Sequence, residues 1–172
     1  MQEQSDIKMR LASPEDYSRI AEIYNIHINI GKSSMEESLK AATDIKAWVD
    51  KFHDRERLYV CEKNGLVIGW GIIKRYSDRE GYRFACETAV YLISEETGKG
   101  YGGQIKQFLI GVCKELDYHH LVAKIFADNE ASIRYNQKLG YEIVGRQKQI
   151  GWKNDRWQDI VIMQLILNNN KS

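Results

Sequence analysis

The chain has 172 residues, 43% of them hydrophobic, with a single proline, a size and balance that fit one α/β domain over residues 1–172 with a sizeable core. Twenty-five Lys and Arg against 24 Asp and Glu leave a formal net charge of +1, so no global field recruits nucleic acid or an anionic membrane, and no apolar run approaches the ~20 residues that span a bilayer. Cys61, Cys86 and Cys113 lack C-x-x-C spacing and the four histidines form no H-x-x-x-H pair, so a reduced, cytoplasmic protein without a metal site is expected.

Ile7 to Leu11 is a short strand candidate. Ser13-Pro14-Glu15-Asp16 then opens a helix, with an N-cap serine, proline at the first helical position and acids in the first turn. Tyr17, Ile20, Ala21, Tyr24 and Ile28 recur at helical spacing. The polar segment Asn29 to Ala42 reads as a binding loop, and Thr43-Asp44 begins a second helix through Ile45, Trp48, Val49 and Phe52. Strands Leu58 to Glu62 and Leu66 to Tyr76 flank Asn64-Gly65, a strong hairpin signal. Tyr82 to Ile93 continues as a third antiparallel strand. A helix follows from Gln104 to Leu116, then a strand from Leu121 to Ala127, a helix from Glu130 to Leu139, and strands Tyr141 to Ile150 and Arg156 to Leu167. This order predicts an α/β (α+β) fold, a mixed and mostly antiparallel sheet of about seven strands with helices on both faces.

Between the third strand and its helix lies Gly98-Lys99-Gly100-Tyr101-Gly102-Gly103. Four glycines in six residues let successive backbone N–H groups turn toward one anion, and the helix that follows offers its positive end. Tight packing alone also uses such turns. The loop satisfies G-x-G-x-x-G, yet Asp117 closes the helix instead of ending the next strand, and too little chain remains for a dinucleotide fold. A different phosphate-bearing ligand is favoured.

The element order, this loop and the tract Asp128-Asn129-Glu130-Ala131-Ser132-Ile133-Arg134-Tyr135-Asn136-Gln137-Lys138-Leu139-Gly140-Tyr141 resemble the GNAT acetyltransferases over about Lys8 to Leu167. Glu87-Thr88-Ala89-Val90-Tyr91 is similar to the Glu-x-x-Val-Tyr strand of the phosphinothricin N-acetyltransferase branch, and Trp157-Gln158-Asp159 to its Trp-His-Asp. The resemblance implies acetyl-CoA as cofactor and transfer of acetyl to the primary amine of a small molecule, an amino acid or analogue such as phosphinothricin or methionine sulfoximine. Other readings are a peptide or protein N-acetyltransferase and a non-catalytic acyl-CoA-binding module.

Carried over, the coenzyme arm meets Val90, Tyr91 and Leu92, and its pyrophosphate meets Gly98, Lys99, Gly100, Tyr101, Gly102 and Gly103. Asn129 and Ser132 match coenzyme-contacting positions, Asn129 also suiting a helix cap. Two departures stand out. Thr97 replaces the usual Arg or Gln, with Glu95-Glu96 close to the expected phosphates, and Asn136 stands where many relatives carry Tyr or His beside the departing sulfur. Tyr135 lies about 100° round the helix from it.

An ammonium with a pKa near 10.4 must lose a proton before it attacks a thioester. Glu87, an acid in an apolar strand, is the expected base, its alternative being a cross-strand ion pair with Arg83 or another basic residue. Arg79 and Tyr82 match positions that hold an acceptor carboxylate, Arg79 also reading as an ordinary solvated loop residue. Met35 and Glu36 would wall the acceptor side. A homodimer through Gln147 to Trp157 is expected from the resemblance alone.

Overall fold

The computed structural model describes residues 6–168, so the two ends of the expected 1–172 domain lie outside it. Its strands are β1 (Ile7–Leu11), β2 (Arg57–Lys63), β3 (Leu66–Arg75), β4 (Ala85–Leu92), β5 (His120–Phe126), β6 (Glu142–Lys153) and β7 (Arg156–Ile166), and its helices α1 (Tyr17–Ile30), α2 (Ala42–Asp50), α3 (Tyr101–Glu115) and α4 (Glu130–Lys138). The strands form one sheet in the order β1-β2-β3-β4-β5-β7-β6. Only the β4–β5 pair is parallel.

Local signals explain most boundaries. Asp16 accepts from the Ser13 N–H at 2.8 Å and is held by both guanidinium nitrogens of Arg10 at 2.7 and 2.8 Å, tying β1 to the start of α1. α1 stops at Gly31, whose φ of +69° leaves the helical region. Asn64 and Gly65, with φ of 52° and 78°, make the tight β2–β3 turn. Several edges differ from expectation: Pro14–Asp16 is a 3-10 turn ahead of α1, and β6 runs three residues past Ile150. A short 3-10 turn over Glu80–Tyr82 precedes β4, which starts at Ala85, and α3 starts at Tyr101, so Gly102 and Gly103 lie inside it. Glycine's weak helix propensity hid that first turn.

The sheet separates two apolar layers. Ile20, Ile23, Tyr24 and Ile45 of α1 and α2 pack on Val60, Trp70 and Ile72, while Leu109, Ile110 and Cys113 of α3 pack on Ile73, Cys86, Leu121 and Met163. Strand alternation therefore sends Glu87, Ala89 and Tyr91 toward α1 and α2, and Cys86, Thr88 and Val90 toward α3. Among the described residues no helix is long and apolar enough to cross a membrane.

Candidate active site

β4 and β5 pair only through Ala85↔His120, Cys86↔Leu121 and Glu87↔Val122, while β4 keeps its full ladder with β3 as far as Leu92. The sheet thus splays immediately after Glu87. Ile93 N–H donates to Ile68 of β3, and Phe84 C=O accepts from His119 just ahead of β5. Backbone groups alternate along a strand, so Thr88, Val90 and Leu92 turn theirs into the splay. Thr88 C=O accepts from Lys106 Nζ at 3.4 Å and Leu92 C=O from His27 Nε2 at 2.7 Å. Val90 offers both an N–H and a C=O to a ligand lying in the gap.

Two clefts meet there, sharing Ser33, Tyr91, Lys124 and Phe126. One, of about 670 Å³, runs along the α3–α4 face from Thr88 to the glycine loop. At its outer end Gly98 and Gly100 adopt φ of +76° and +85°, Gly100 preceding the first residue of α3. The first N–H groups of that helix have no intrahelical acceptor, an arrangement that suits an anion. The acidic neighbours are neutralised locally: Glu96 lies 3.0 Å from Lys63 and 3.2 Å from Lys99, and these lysines hold its carboxyl below the usual range, while Glu95 faces solvent.

The structure brings Val90, Tyr91, Leu92, Gly98, Gly100, Gly102, Gly103, Asn129, Ser132 and Asn136 to this cleft. Lys99 and Tyr101 are not in its lining. Lys99 is turned to Glu96, and the Tyr101 ring is packed with Ile105, Cys61 and Leu92 under the Lys63 ammonium, leaving its backbone N–H as what it can offer an anion. Asn129 caps α4, its Oδ1 accepting from Ser132 N–H at 3.3 Å, while also lining the cleft. Asn136 is 1% exposed. Its Nδ2 donates to Ser132 C=O at 2.8 Å, and its Oδ1 is buried without a hydrogen-bond partner among the described residues.

Sequence reasoning assigned no role to several polar residues of this cleft, His27, Ser33, Lys106 and Lys124 among them, and set Tyr135 aside. His27 is held neutral by burial; its Nε2–H serves Leu92 C=O and its Nδ1 accepts from Ser33 Oγ at 2.7 Å. Tyr135 does reach the cleft beside Gly102, its ring 3.5 Å from where a Cβ there would stand, because the cleft spans more of α4 than one helical position.

The second cleft, about 1050 Å³, opens on the α1–α2 face. Glu87, Tyr82, Met35 and Glu36 line it. The Glu87 carboxylate lies 3.4 Å from Lys124 Nζ of β5. A basic residue of the neighbouring strand thus does pair with Glu87, but it is Lys124 and not Arg83, which lies over the Phe84 ring and donates to Glu80 C=O. Arg79 is exposed and outside the lining, because the 80–82 turn carries it away. The Met35–Glu36 wall is anchored from two sides, Lys153 Nζ donating to Glu36 C=O and Ser34 Oγ donating to Tyr24 OH at 2.9 Å. Met35 also covers Gly151, where any Cβ would collide with it. Tyr91 stands between the clefts, against Trp70, Tyr24 and His27 at 4.7, 5.0 and 5.1 Å between ring centres.

Residues 9–162 match the model of the acetyltransferase (GNAT) domain. The chain is 32% identical over 162 residues to phosphinothricin N-acetyltransferase of Alcaligenes faecalis, with 93% of this chain and 82% of that one covered. It is 32% identical over 167 residues to the L-methionine sulfoximine/L-methionine sulfone acetyltransferase of Salmonella typhimurium, with 94% and 95% covered. It superposes on a GNAT superfamily phosphinothricin acetyltransferase from Sinorhizobium meliloti in complex with acetyl-CoA with a TM-score of 0.91 and 28% identity, covering 97% of this chain and 91% of that one.

Proposed function

The chain belongs to the GNAT acetyltransferases, and from that premise we propose that it transfers acetyl from acetyl-CoA to the primary amine of a small amino acid or analogue, in the manner of the phosphinothricin and methionine sulfoximine enzymes it resembles. The observation that carries this reading is the splay itself. It opens beside Glu87, with backbone groups and a helix N-terminus for a long anionic ligand on one face and a carboxylate-bearing cleft on the other.

The residues present fit acetyl-CoA: the Val90 C=O and the Leu92 N–H are open to an amide-containing arm, and the glycine loop offers first-turn N–H groups to a pyrophosphate. When bound, the coenzyme supplies an activated acetyl thioester. Glu87 takes the proton from the acceptor nitrogen, which an ammonium must lose to become a nucleophile. The Val90 N–H faces the charge that develops on the acetyl oxygen. Lys124, beside Glu87, takes the acceptor carboxylate, so the zwitterionic head of an amino acid lies across an oppositely charged pair. The protein works in the cytoplasm as a homodimer, docking through the β6–β7 hairpin, where Val144, Ile150, Trp152 and Trp157 are each at least half exposed.

Release of free CoA thiol from acetyl-CoA is to be measured across amino acids, methionine sulfone and sulfoximine, polyamines and a peptide, for wild type and Glu87→Gln. Turnover on an amino acid analogue that is lost in the variant supports the assignment. Turnover on the peptide alone moves it to protein acetylation, and coenzyme binding without any turnover refutes it in favour of a binding module.

A further inference from the structure

Lys106 is the one buried cation of the coenzyme cleft, and nothing in the family reading uses it. The residue is 2% exposed yet lines the cleft, and no ion pair among the described residues includes it. Its ammonium has three N–H donors. One acceptor, Thr88 C=O at 3.4 Å, and one ring face, that of Tyr141 at 4.9 Å, answer them. A buried charge so thinly compensated destabilises the fold unless a ligand completes its surroundings.

Position identifies that ligand. Along α3, Lys106 stands five residues beyond the first helical position, about 7 Å deeper than the glycine-loop rim at 1.5 Å per residue. Along β4, Thr88 lies two residues below Val90, about 7 Å nearer the closed end of the splay. Both measures place the ammonium toward the closed end of the splay, where the acetyltransferase reading puts the thioester, against Thr88 and across the strand from the Glu87 side chain. Asn136, the residue found where relatives carry a proton donor, is a neutral amide with no acidic proton to give, and one of its Nδ2 N–H groups is held by Ser132 C=O. We infer that Lys106 is the general acid of the reaction, giving a proton to the coenzyme sulfur as acetyl leaves it. The inference rests on the acetyltransferase reading above.

The step balances as follows. The C–S bond breaks with its electron pair passing to sulfur, an S–H bond forms with a proton from Lys106 Nζ, and Lys106 is left as a neutral amine that water re-protonates. The acceptor ammonium gives up two protons by way of Glu87, so one proton is released per turnover. The titratable groups facing Lys106 are Cys86 of β4 and Cys113 of its own helix, with Tyr141 and the cleft tyrosine Tyr135 beyond α3, while the Glu87 carboxylate acts on it from the other face of the sheet. Burial draws the ammonium down to about 8, near the value of about 8.5 for a cysteine thiol.

The test is made on the full chain, comparing wild type with Lys106→Met and Lys106→Leu, each checked for folding by circular dichroism. First, the thiol of CoA bound to each protein is titrated by thiolate ultraviolet absorbance, which needs no acceptor. The wild-type complex is expected to titrate at least about one pH unit lower than either variant, as a cation within hydrogen-bond reach requires. Second, kcat on the best acceptor is expected to fall about tenfold or more in the variants, and the loss of wild-type kcat above pH 8 is expected to disappear with the lysine. Equal thiol titration with kcat unchanged overturns the assignment, as does an acetyl group found on Lys106 by mass spectrometry, which would make it a nucleophile. Absence of turnover in wild type would instead refute the acetyltransferase reading, and the binary CoA titration would still decide whether Lys106 faces sulfur.

Discussion

Replacing Lys106 by Met is expected to make the protein more stable at neutral pH, by an amount that disappears in alkali. On folding, the ammonium falls from its ordinary 10.5 to about 8, with burial the leading cause, which corresponds to about 3 kcal/mol held against the folded state. The sign follows from proton counting. Below pH 8 both states carry the proton and the folded state bears the whole desolvation penalty. Between 8 and 10.5 the unfolded chain binds more protons than the folded one, so stability rises with pH, and above 10.5 both are neutral and the penalty is gone. The Met variant has no such term. Urea unfolding of both proteins at pH 7, 8, 9 and 10 reads the difference directly. The gap is expected to be about 2–3 kcal/mol at pH 7 and to close toward pH 10.5, with a Tm gain of roughly 4–12 °C at neutral pH for a chain of this size. A variant that is less stable at pH 7, or a gap that does not change with pH, would refute the reasoning, because either result means the ammonium has an anionic partner in the folded protein.

Other outcomes are expected from the same geometry. Glu87→Gln should lower kcat about 10²-fold or more while coenzyme binding, followed by isothermal titration calorimetry, stays within about twofold. Lys124→Met should raise KM about tenfold for amino acid acceptors, the worth of one charge-assisted hydrogen bond, and leave KM for the corresponding amino acid amides nearly unchanged; an equal effect on both would remove Lys124 from acceptor recognition. Gly100→Ala places a side chain at φ +85°, costing about 1–2 kcal/mol of stability in urea unfolding and weakening coenzyme binding. Trp157→Asp should convert a dimer to a monomer in sedimentation velocity, and a wild type already monomeric would refute the proposed interface.

Much of the site was legible because it is built from local chemistry. An acid in an apolar strand marked Glu87, clustered glycines marked a turn that Gly98 and Gly100 make at positive φ, and Asn129 ahead of Glu130 marked a helix start that the structure caps with that side chain. What stayed hidden depends on tertiary placement. A lysine in an amphipathic helix reads as solvated, and nothing near Lys106 in the chain says that Tyr141, 35 residues on, will roof it. Arg79 could be matched by position, yet the turn over Glu80–Tyr82 decides which way the loop leads, and Lys124, unnoticed on a short strand, becomes the cation beside Glu87. The angle between Tyr135 and Asn136 was right, but the width of the cleft makes room for both.

Three rungs are all the strand pairing there is between strands β1 to β4 and strands β5, β7 and β6, although α3 packs across both groups and Lys153 ties β6 to the loop after α1. Mechanically the sheet is two panels joined along a short hem at one edge. Beyond those rungs, widening the gap breaks no β4–β5 backbone hydrogen bond, so the backbone itself offers no ladder against a ligand entering there. A guest that bonds to β4 while touching β5 and α4 acts as a brace across the panels, and it stiffens them most where Glu87 sits. Reactive geometry and mechanical rigidity would then arrive together.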